Sequence, residues 1–307
     1  MRVAFLGSDA WSVPSLEALA GSDHHVAIVG TRPPRPAGRG GKLRPTAVAD
    51  AARRLGLPLV EPGTVRTGEG FEALRAAGAE ALVVVAYGEI LPRHVLDLAY
   101  PLNVHFSLLP SLRGADPVRR AILSGATTTG VTIMRMDEGM DTGPLLISAE
   151  EPIREDDDAG TLGDRLARRG ADLLLEALDL LGRGQANERP QDGATATLAP
   201  KISREEEWLD WREEAPALVR RVRALAPDPG ARTRYRGKVL KVLRAAAVDG
   251  SGEPGAIMEV SNDGIRVAAA RGAVALLEVV PEGRRRISGG DFVRGYRPAP
   301  GEVLGAD

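Results

Sequence analysis

The stretch MRVAFLGSDAWSVPSLEALAGSDHHVAIVG, residues 1–30, decides the fold. Val3–Leu6 is a short apolar run, the segment through Leu16 and Leu19 places apolar residues at helical spacing, and Val26–Val29 is a second run of strand type. Strand, helix and strand in that order make a βαβ unit. The alternation continues with a helix near Thr46–Leu55, a strand at Leu57–Val60, a helix near Phe71–Ala77 and the wholly apolar strand Ala81–Val85. Leu102–His105 and Gly130–Met136 supply two more strands around a helix at about Asp116–Leu123. This pattern predicts an α/β fold with a doubly wound, mostly parallel sheet. A long helix at about Thr161–Leu181 closes it, with the acidic run Asp156–Asp158 where a helix N-terminus favours negative charge.

Beyond that helix the texture changes. Residues 184–207 are polar and rich in Gly, Pro and Thr, as linkers are. After one more helix, roughly Ala215–Leu225, short runs at Lys238–Leu243, Gly255–Val260, Gly264–Ala269 and Ala273–Val280 are broken by Gly, Asp-Gly and Pro, the spacing of a small β-barrel. The expected domains are 1–188, a linker at 189–207, and a smaller OB-like barrel at 208–307. A chain of 307 residues also exceeds what one core usually serves.

Without cysteine there is no disulfide framework, no thiolate metal site and no cysteine nucleophile. His24, His25, His94 and His105 show no paired ligand spacing, so no metal is expected. The opening apolar run is too short for a secretion signal, and no stretch reaches the roughly 20 apolar residues that span a bilayer. A cytoplasmic protein with no membrane partner is expected. The net charge of −2 divides into −5 over residues 1–200 and +3 beyond, too small a difference to indicate nucleic acid by itself.

The densest chemistry lies in NVHFSLLP (103–110) and MDEGMDTG (136–143). Side chains alternate along a strand, so Asn103 and His105 share a face. They also stand at the carboxyl end of their strand, where open α/β sheets bind ligands. An Asn amide donates to a developing oxyanion, His moves a proton near neutral pH, and Asp141 can orient the imidazole and support its charged form. No cysteine and no Gly-x-Ser-x-Gly elbow supplies a nucleophile, so these parts suit a direct acyl transfer in which the acceptor attacks. The bland alternatives are a satisfied Asn–His pair and an ordinary Asp-Thr-Gly turn. The first βα turn offers only Gly7, without the glycine fingerprint of a dinucleotide site.

Taken whole, NVHFSLLPSLRGADP (103–117) and GVTIMRMDEGMDTG (130–143), with VAFLGS at 3–8, AYGEILP at 86–92 and PGEVLG at 300–305, resemble the folate-dependent formyltransferase family. Within it the chain looks most like members that act on an aminoacylated initiator tRNA. The resemblance implies a Rossmann-like catalytic domain in which Asn103, His105 and Asp141 are catalytic. The formyl group of 10-formyltetrahydrofolate would pass to the neutral α-amine of methionyl-tRNA, with Asn103 and His105 stabilising the tetrahedral oxygen and Asp141 orienting His105. A free α-amine titrates at about pH 7.7–8.0, so a neutral fraction is at hand. The implied folate slot is bordered by Tyr87, Gly88, Ile90 and Leu91, by Ser107, Leu108, Leu109 and Pro110, and by Asp137 and Gly139, where Gly88 and Gly139 would allow close backbone approach. Ile90, Leu91, Leu108 and Leu109 read equally as core, and Ser107 also as a turn cap.

Five basic residues and no acidic one occur in RPPRPAGRGGKLR (32–44), whose Gly and Pro argue against helix or strand. Such a loop suits phosphates and the end of an RNA helix, or is simply solvated. The resemblance implies contact with a tRNA acceptor stem, chiefly by Arg39, with Arg35, Lys42 and Arg44 on phosphates. In the barrel, Arg220, Arg221, Arg223, Lys238, Lys241 and residues 284–286 are available to steer RNA. Three positions depart from the family: Phe106 replaces the usual Gly, Ser8-Asp9-Ala10-Trp11 the usual Thr-Pro-Asp-Phe, and Asp228 a Trp between prolines. Phe106 is expected to point away from the Asn103/His105 face. Two rivals stay open: a formyltransferase for a small amine such as a nucleotide-linked amino sugar, and a non-catalytic tRNA-binding module. A monomer is expected.

Overall fold

The structure is a computed structural model that describes residues 1–37 and 41–305. The chain divides into two compact units. Unit 1 holds Met1–Pro117, Thr128–Pro152 and Gly163–Ala199, and unit 2 holds Val118–Thr127, Ile153–Leu162 and the chain from Pro200 onward.

The first elements in chain order are β1 (Arg2–Gly7), α1 (Val13–Ala20), β2 (His25–Gly30), β3 (Arg35–Ala37), β4 (Lys42–Arg44), α2 (Ala47–Leu55), β5 (Leu59–Val60), α3 (Gly68–Ala76), β6 (Ala81–Val85), α4 (Arg93–Leu96) and β7 (Tyr100–His105). They continue with α5 (Pro117–Leu123), β8 (Thr128–Arg135), β9 (Leu145–Pro152) and α6 (Ala159–Gly182). Seven strands form one sheet in the order β5-β2-β1-β6-β7-β8-β9. The first five run parallel, β8 is antiparallel to β7, and β9 is antiparallel to β8. Apolar residues occupy both faces of the central strands, so each face takes a helical layer. Ala4, Leu6, Leu82 and Val84 pack with Leu74 of α3 and Val95 of α4. On the other face Gly170 of α6 lies against Val104, Val131 and Phe106. Because β2 and β6 lie on opposite sides of β1, the carboxyl ends of β1 and β6 flank a switch point, the place where such sheets open a crevice.

Local chemistry explains most boundaries. Thr46 caps α2 by accepting from Ala49 N at 3.0 Å, and Gly56 ends it in the left-handed region. Asp158, in the acidic run, accepts from Thr161 N at 2.8 Å at the start of α6. The structure differs from the sequence reading at three places. The basic loop contains a hairpin, with Arg35, Pro36 and Ala37 opposite Arg44, Leu43 and Lys42; a two-stranded ribbon has only edges, where Pro36 is tolerated. Strand β9 gave no clear signal, because its sequence LLISAEEP mixes in the carboxylates common at sheet edges. Residues 189–199, expected as linker, are stitched to unit 1: Arg189 exchanges backbone bonds with Leu145 at 2.8 and 2.9 Å, and Ala199 N donates to Arg113 O at 2.7 Å.

Unit 2 continues with α7 (Ala215–Leu225), β10 (Ala231–Tyr235), β11 (Lys238–Val248), β12 (Ile257–Ser261), β13 (Gly264–Ala268), β14 (Ala273–Pro281), β15 (Ile287–Ser288) and α8 (Gly289–Tyr296). Its antiparallel sheet runs β10-β11-β14-β13-β12, with β15 on β14. The two border strands are joined through residues 302–305. Ile257 N donates to Glu302 O at 2.7 Å on the β12 side, and Gly305 N donates to Arg234 O at 2.9 Å on the β10 side. This closes the sheet into a barrel around Leu218, Val222, Leu240, Val267, Leu276 and Phe292. Trp211 is buried there, and its indole N–H reaches Thr233 Oγ1 at 3.0 Å.

Candidate active site

Strand register builds the site. Asn103 sits between Val84 of β6 and Met134 of β8, and His105 lies opposite Thr132, so all five side chains share one face. His105 is only 5% exposed, and its Nε2 lies 2.9 Å from the Leu112 carbonyl. A carbonyl only accepts, so Nε2 carries a hydrogen and Nδ1 is the nitrogen left to exchange a proton. Nδ1 lies 3.6 Å from Asp141 Oδ2, a close charge contact that is too long for a strong hydrogen bond. Asn103 Nδ2 stands 3.4 Å from Asp141 Oδ1. Gly114 N donates to Asp141 Oδ2 at 2.8 Å. The three side chains singled out in the sequence thus converge, with an amide N–H and the imidazole Nδ1 placed around one carboxylate.

Asp141 reaches this place from a left-handed backbone, φ +55. That conformation costs roughly 1–2 kcal/mol for an ordinary L-residue and less for Asp. Two hydrogen bonds from Gln191 Nε2, to Asp141 O at 2.8 Å and Gly143 O at 2.7 Å, hold it there. Asp137 fixes the rest of the loop by accepting from Gly139 N at 3.0 Å and Thr142 Oγ1 at 2.7 Å. A Cβ on Gly139 would stand 2.0 Å from Thr142 Oγ1, so the close approach that needs this glycine is to its own loop.

The remaining slot residues divide by exposure. Tyr87, Leu91, Ser107 and Leu109 are buried, Leu108 and Pro110 are half-buried, and Gly88, Ile90, Asp137 and Gly139 are exposed, Ile90 by 79%. Leu91 belongs to the core of one sheet face, and Leu108 covers Gly130. Ser107 Oγ donates to Ser111 O at 2.6 Å across the Pro110 turn. Burial, then the nearby Glu89 carboxylate, pushes the Tyr87 phenol up to about 12. Three residues with structural parts here had no signal of their own in the sequence. Thr132 donates to Ser107 O at 2.7 Å and accepts from Leu109 N at 3.2 Å, fixing the turn after β7. Glu89 holds the loop after β6 by accepting from Thr64 Oγ1 and from Arg32 Nη1, the latter at 3.3 Å. Gln191 is the third, remote in sequence from everything it binds.

Phe106 points to the opposite face, where it is 6% exposed and meets Trp11 edge-on with ring centroids 6.3 Å apart. Trp11 in turn lies against Gly163 and donates to Asp164 Oδ1 at 3.2 Å. Two departures from the family pattern therefore pack against each other. The third, Asp228, accepts from Arg119 Nη2 through its carbonyl at 3.0 Å.

Arg35, Lys42 and Arg44 are exposed on the β3–β4 hairpin, and none has an ion-pair partner among the described residues. Arg35 stands directly opposite Arg44, a like-charge pair. Arg39 lies outside the described residues. Arg223 is engaged locally, donating to Asp157 O and Arg154 O, each at 2.6 Å, and Arg221 pairs with Glu213 at 2.8 Å. A cavity of 720 Å³ in unit 2 is lined by Trp208, Trp211, Asp210 and Arg212 among others, with Arg212 on Asp210 at 2.7 Å and Arg221 on Glu213 at 2.8 Å. Among the described residues no cluster of His, Asp and Glu is arranged to hold a metal ion, and no helix is long and apolar enough to cross a membrane.

Comparison with known proteins gives the family. The family model described as Formyl transferase matches residues 1–178, and that described as Formyl transferase, C-terminal domain, matches residues 201–297. The methionyl-tRNA formyltransferase of Thermus thermophilus is 48% identical over 307 residues, covering 99% of each chain. HypX from Aquifex aeolicus, solved in complex with tetrahydrofolic acid, superposes with TM-score 0.69 at 20% identity, over 96% of this chain and 48% of that one. The methionyl-tRNA formyltransferase from Clostridium thermocellum superposes with TM-score 0.57 at 15% identity, over 80% of this chain and 93% of that one. At these identities the two structures speak for the fold.

Proposed function

The chain belongs to the formyl transferase family, and from that membership we propose that it moves the formyl group of 10-formyltetrahydrofolate onto the α-amine of methionyl-initiator tRNA, as a monomer in the cytoplasm. The observation that carries the proposal is the convergence of Asn103, His105 and Asp141 at the carboxyl end of β7, in a chain with no cysteine and no Gly-x-Ser-x-Gly elbow. Transfer then forms the amine N–C bond, breaks the folate N10–C bond and moves one proton from the amine to N10, with no oxidant or metal needed for balance. Asn103 Nδ2 and a protonated His105 Nδ1 are the two donors to the tetrahedral oxygen. Leu112 O fixes the imidazole in the one orientation that turns Nδ1 inward, and the Asp141 carboxylate supports the charge that collects there.

The 48% identical relative supports tRNA as acceptor, and so does the hairpin. Arg35 opposite Arg44 is unfavourable on its own and becomes favourable with a phosphate between them. Arg39, outside the described residues, is proposed to meet the acceptor stem. The loops bearing Tyr87–Leu91, Ser107–Pro110 and Asp137–Gly139 are proposed to border the folate, with the exposed Gly88 and Ile90 in contact and the buried Tyr87, Leu91, Ser107 and Leu109 forming the wall behind. The test is formylation of charged initiator tRNA, with amino-sugar nucleotides offered in parallel. Wild type should formylate only the tRNA, and His105→Ala should be inactive with its fold intact; a fully active His105→Ala defeats the catalytic assignment.

A further inference from the structure

Segment 112–114 touches His105, Asp141 and Gln191. Leu112 O takes His105 Nε2–H, Gly114 N donates to Asp141 Oδ2, and Arg113 reaches Gln191 Oε1 through Nε at 3.1 Å and Nη2 at 2.7 Å. The segment is itself held by residues 197–199. Leu112 N donates to Thr197 Oγ1 at 2.8 Å, Arg113 N to Thr197 O at 2.9 Å and Ala199 N to Arg113 O at 2.7 Å. A Cβ at Gly114 would stand 2.8 Å from Ala199 O, so the two segments are in close backbone contact. Gln191 joins this platform to the Asp141 loop. Its amide orientation admits no choice, since a guanidinium only donates and the carbonyls of Asp141 and Gly143 only accept.

We propose that Gln191, held by Arg113, is a positioning residue that sets the Asp141 carboxylate against His105 and Asn103; this rests on the catalytic roles proposed above for those three side chains. Both amide hydrogens of Gln191 are occupied by backbone carbonyls, so it acts through Asp141 and not on the reacting atoms. Without them, Asp141 keeps an uncommon backbone conformation with one short bond to its carboxylate, from Gly114 N. The loop then has room to relax, and a misplacement of about 1 Å costs on the order of 100-fold in rate.

The experiment compares Gln191→Ala and Gln191→Glu with wild type, His105→Ala and Asp141→Ala, in single-turnover formylation of charged initiator tRNA. A glutamate retains the Arg113 pairing but turns an acceptor oxygen toward the Asp141 and Gly143 carbonyls in place of the two donors, so Gln191→Glu should still fold, at a lower Tm than wild type. Its kcat should fall roughly 30- to 100-fold, with KM for either substrate moving by about twofold or less. In the Asp141→Ala background, adding Gln191→Ala should cost almost nothing more, because the group it positions is gone. Should Gln191→Ala fail to fold, Gln191→Glu is carried into that background instead. A wild type that does not formylate, or a fully active His105→Ala, would sink the functional reading itself. If that reading stands, a Gln191→Glu enzyme within about twofold of wild type, or the same rate loss with and without Asp141, overturns the positioning role.

Discussion

Replacing Asp141 by Asn tests the electrostatic core of the mechanism. Asn tolerates the left-handed backbone at φ +55 as well as Asp does, so the loop should keep its shape and the Gln191 bonds their acceptors. What disappears is a negative charge 3.6 Å from His105 Nδ1. Coulomb attraction at that separation is about 1 kcal/mol in bulk water and about 4.6 kcal/mol at an effective dielectric of about 20. His105 and Asp141 side chains are 6% and 17% exposed, which places the pair toward the second limit. A loss of about 3–4 kcal/mol of transition-state stabilisation corresponds to roughly 10²–10³ in kcat. Single-turnover formylation at saturating folate and tRNA measures it, with Tm as the control on folding. A variant within about threefold of wild type, at unchanged Tm, refutes the claim that the carboxylate supports charge on His105.

The Phe106–Trp11 contact predicts that Phe106→Ala loses about 3–5 kcal/mol of stability, read by chemical denaturation, while activity per folded molecule persists because the ring lies on the face away from Asn103 and His105. Changing Arg35, Lys42 and Arg44 to Ala together should weaken tRNA binding and reduce the slope of log K against log salt by about 2–3, with folate binding unaffected; an unchanged slope removes the hairpin from tRNA contact. His24 is held below the ordinary histidine value of 6.5, first by burial and then by the Met1 ammonium, against the opposing pull of Asp179 and Asp23. Its neutral form thus contributes stability that is present above pH 6.5 and lost as pH falls through the lowered value. Between about pH 7.5 and pH 5.5 the wild-type Tm should fall more than that of His24→Gln, and equal falls contradict this.

What the sequence made legible follows the range of the interactions. Ala81–Val85 reads as a buried strand because all five residues are apolar, and α7 begins and ends where its apolar period does. Asn103 and His105 stand on one face by simple alternation. Strand β10, ARTRY, escaped because two arginines occupy its outward positions and its inward ones, Ala231, Thr233 and Tyr235, include no large aliphatic residue. The supports of the site escaped for a deeper reason. Leu112 acts through a carbonyl, which any residue owns, and Gln191 acts from fifty positions beyond Asp141, so neither leaves a local pattern.

Closure of the barrel by residues 302–305 has a consequence for how the nascent chain matures. When β14 has emerged from the ribosome, β10 and β12 already have their inner neighbours, yet each still presents an open rim of amides and carbonyls to solvent. Such rims invite cross-pairing between half-made copies, and the hazard persists until the sealing segment is synthesised. A stop codon placed just before Gly301 should therefore shift the product from the soluble fraction toward aggregates, even though every strand of the sheet is present.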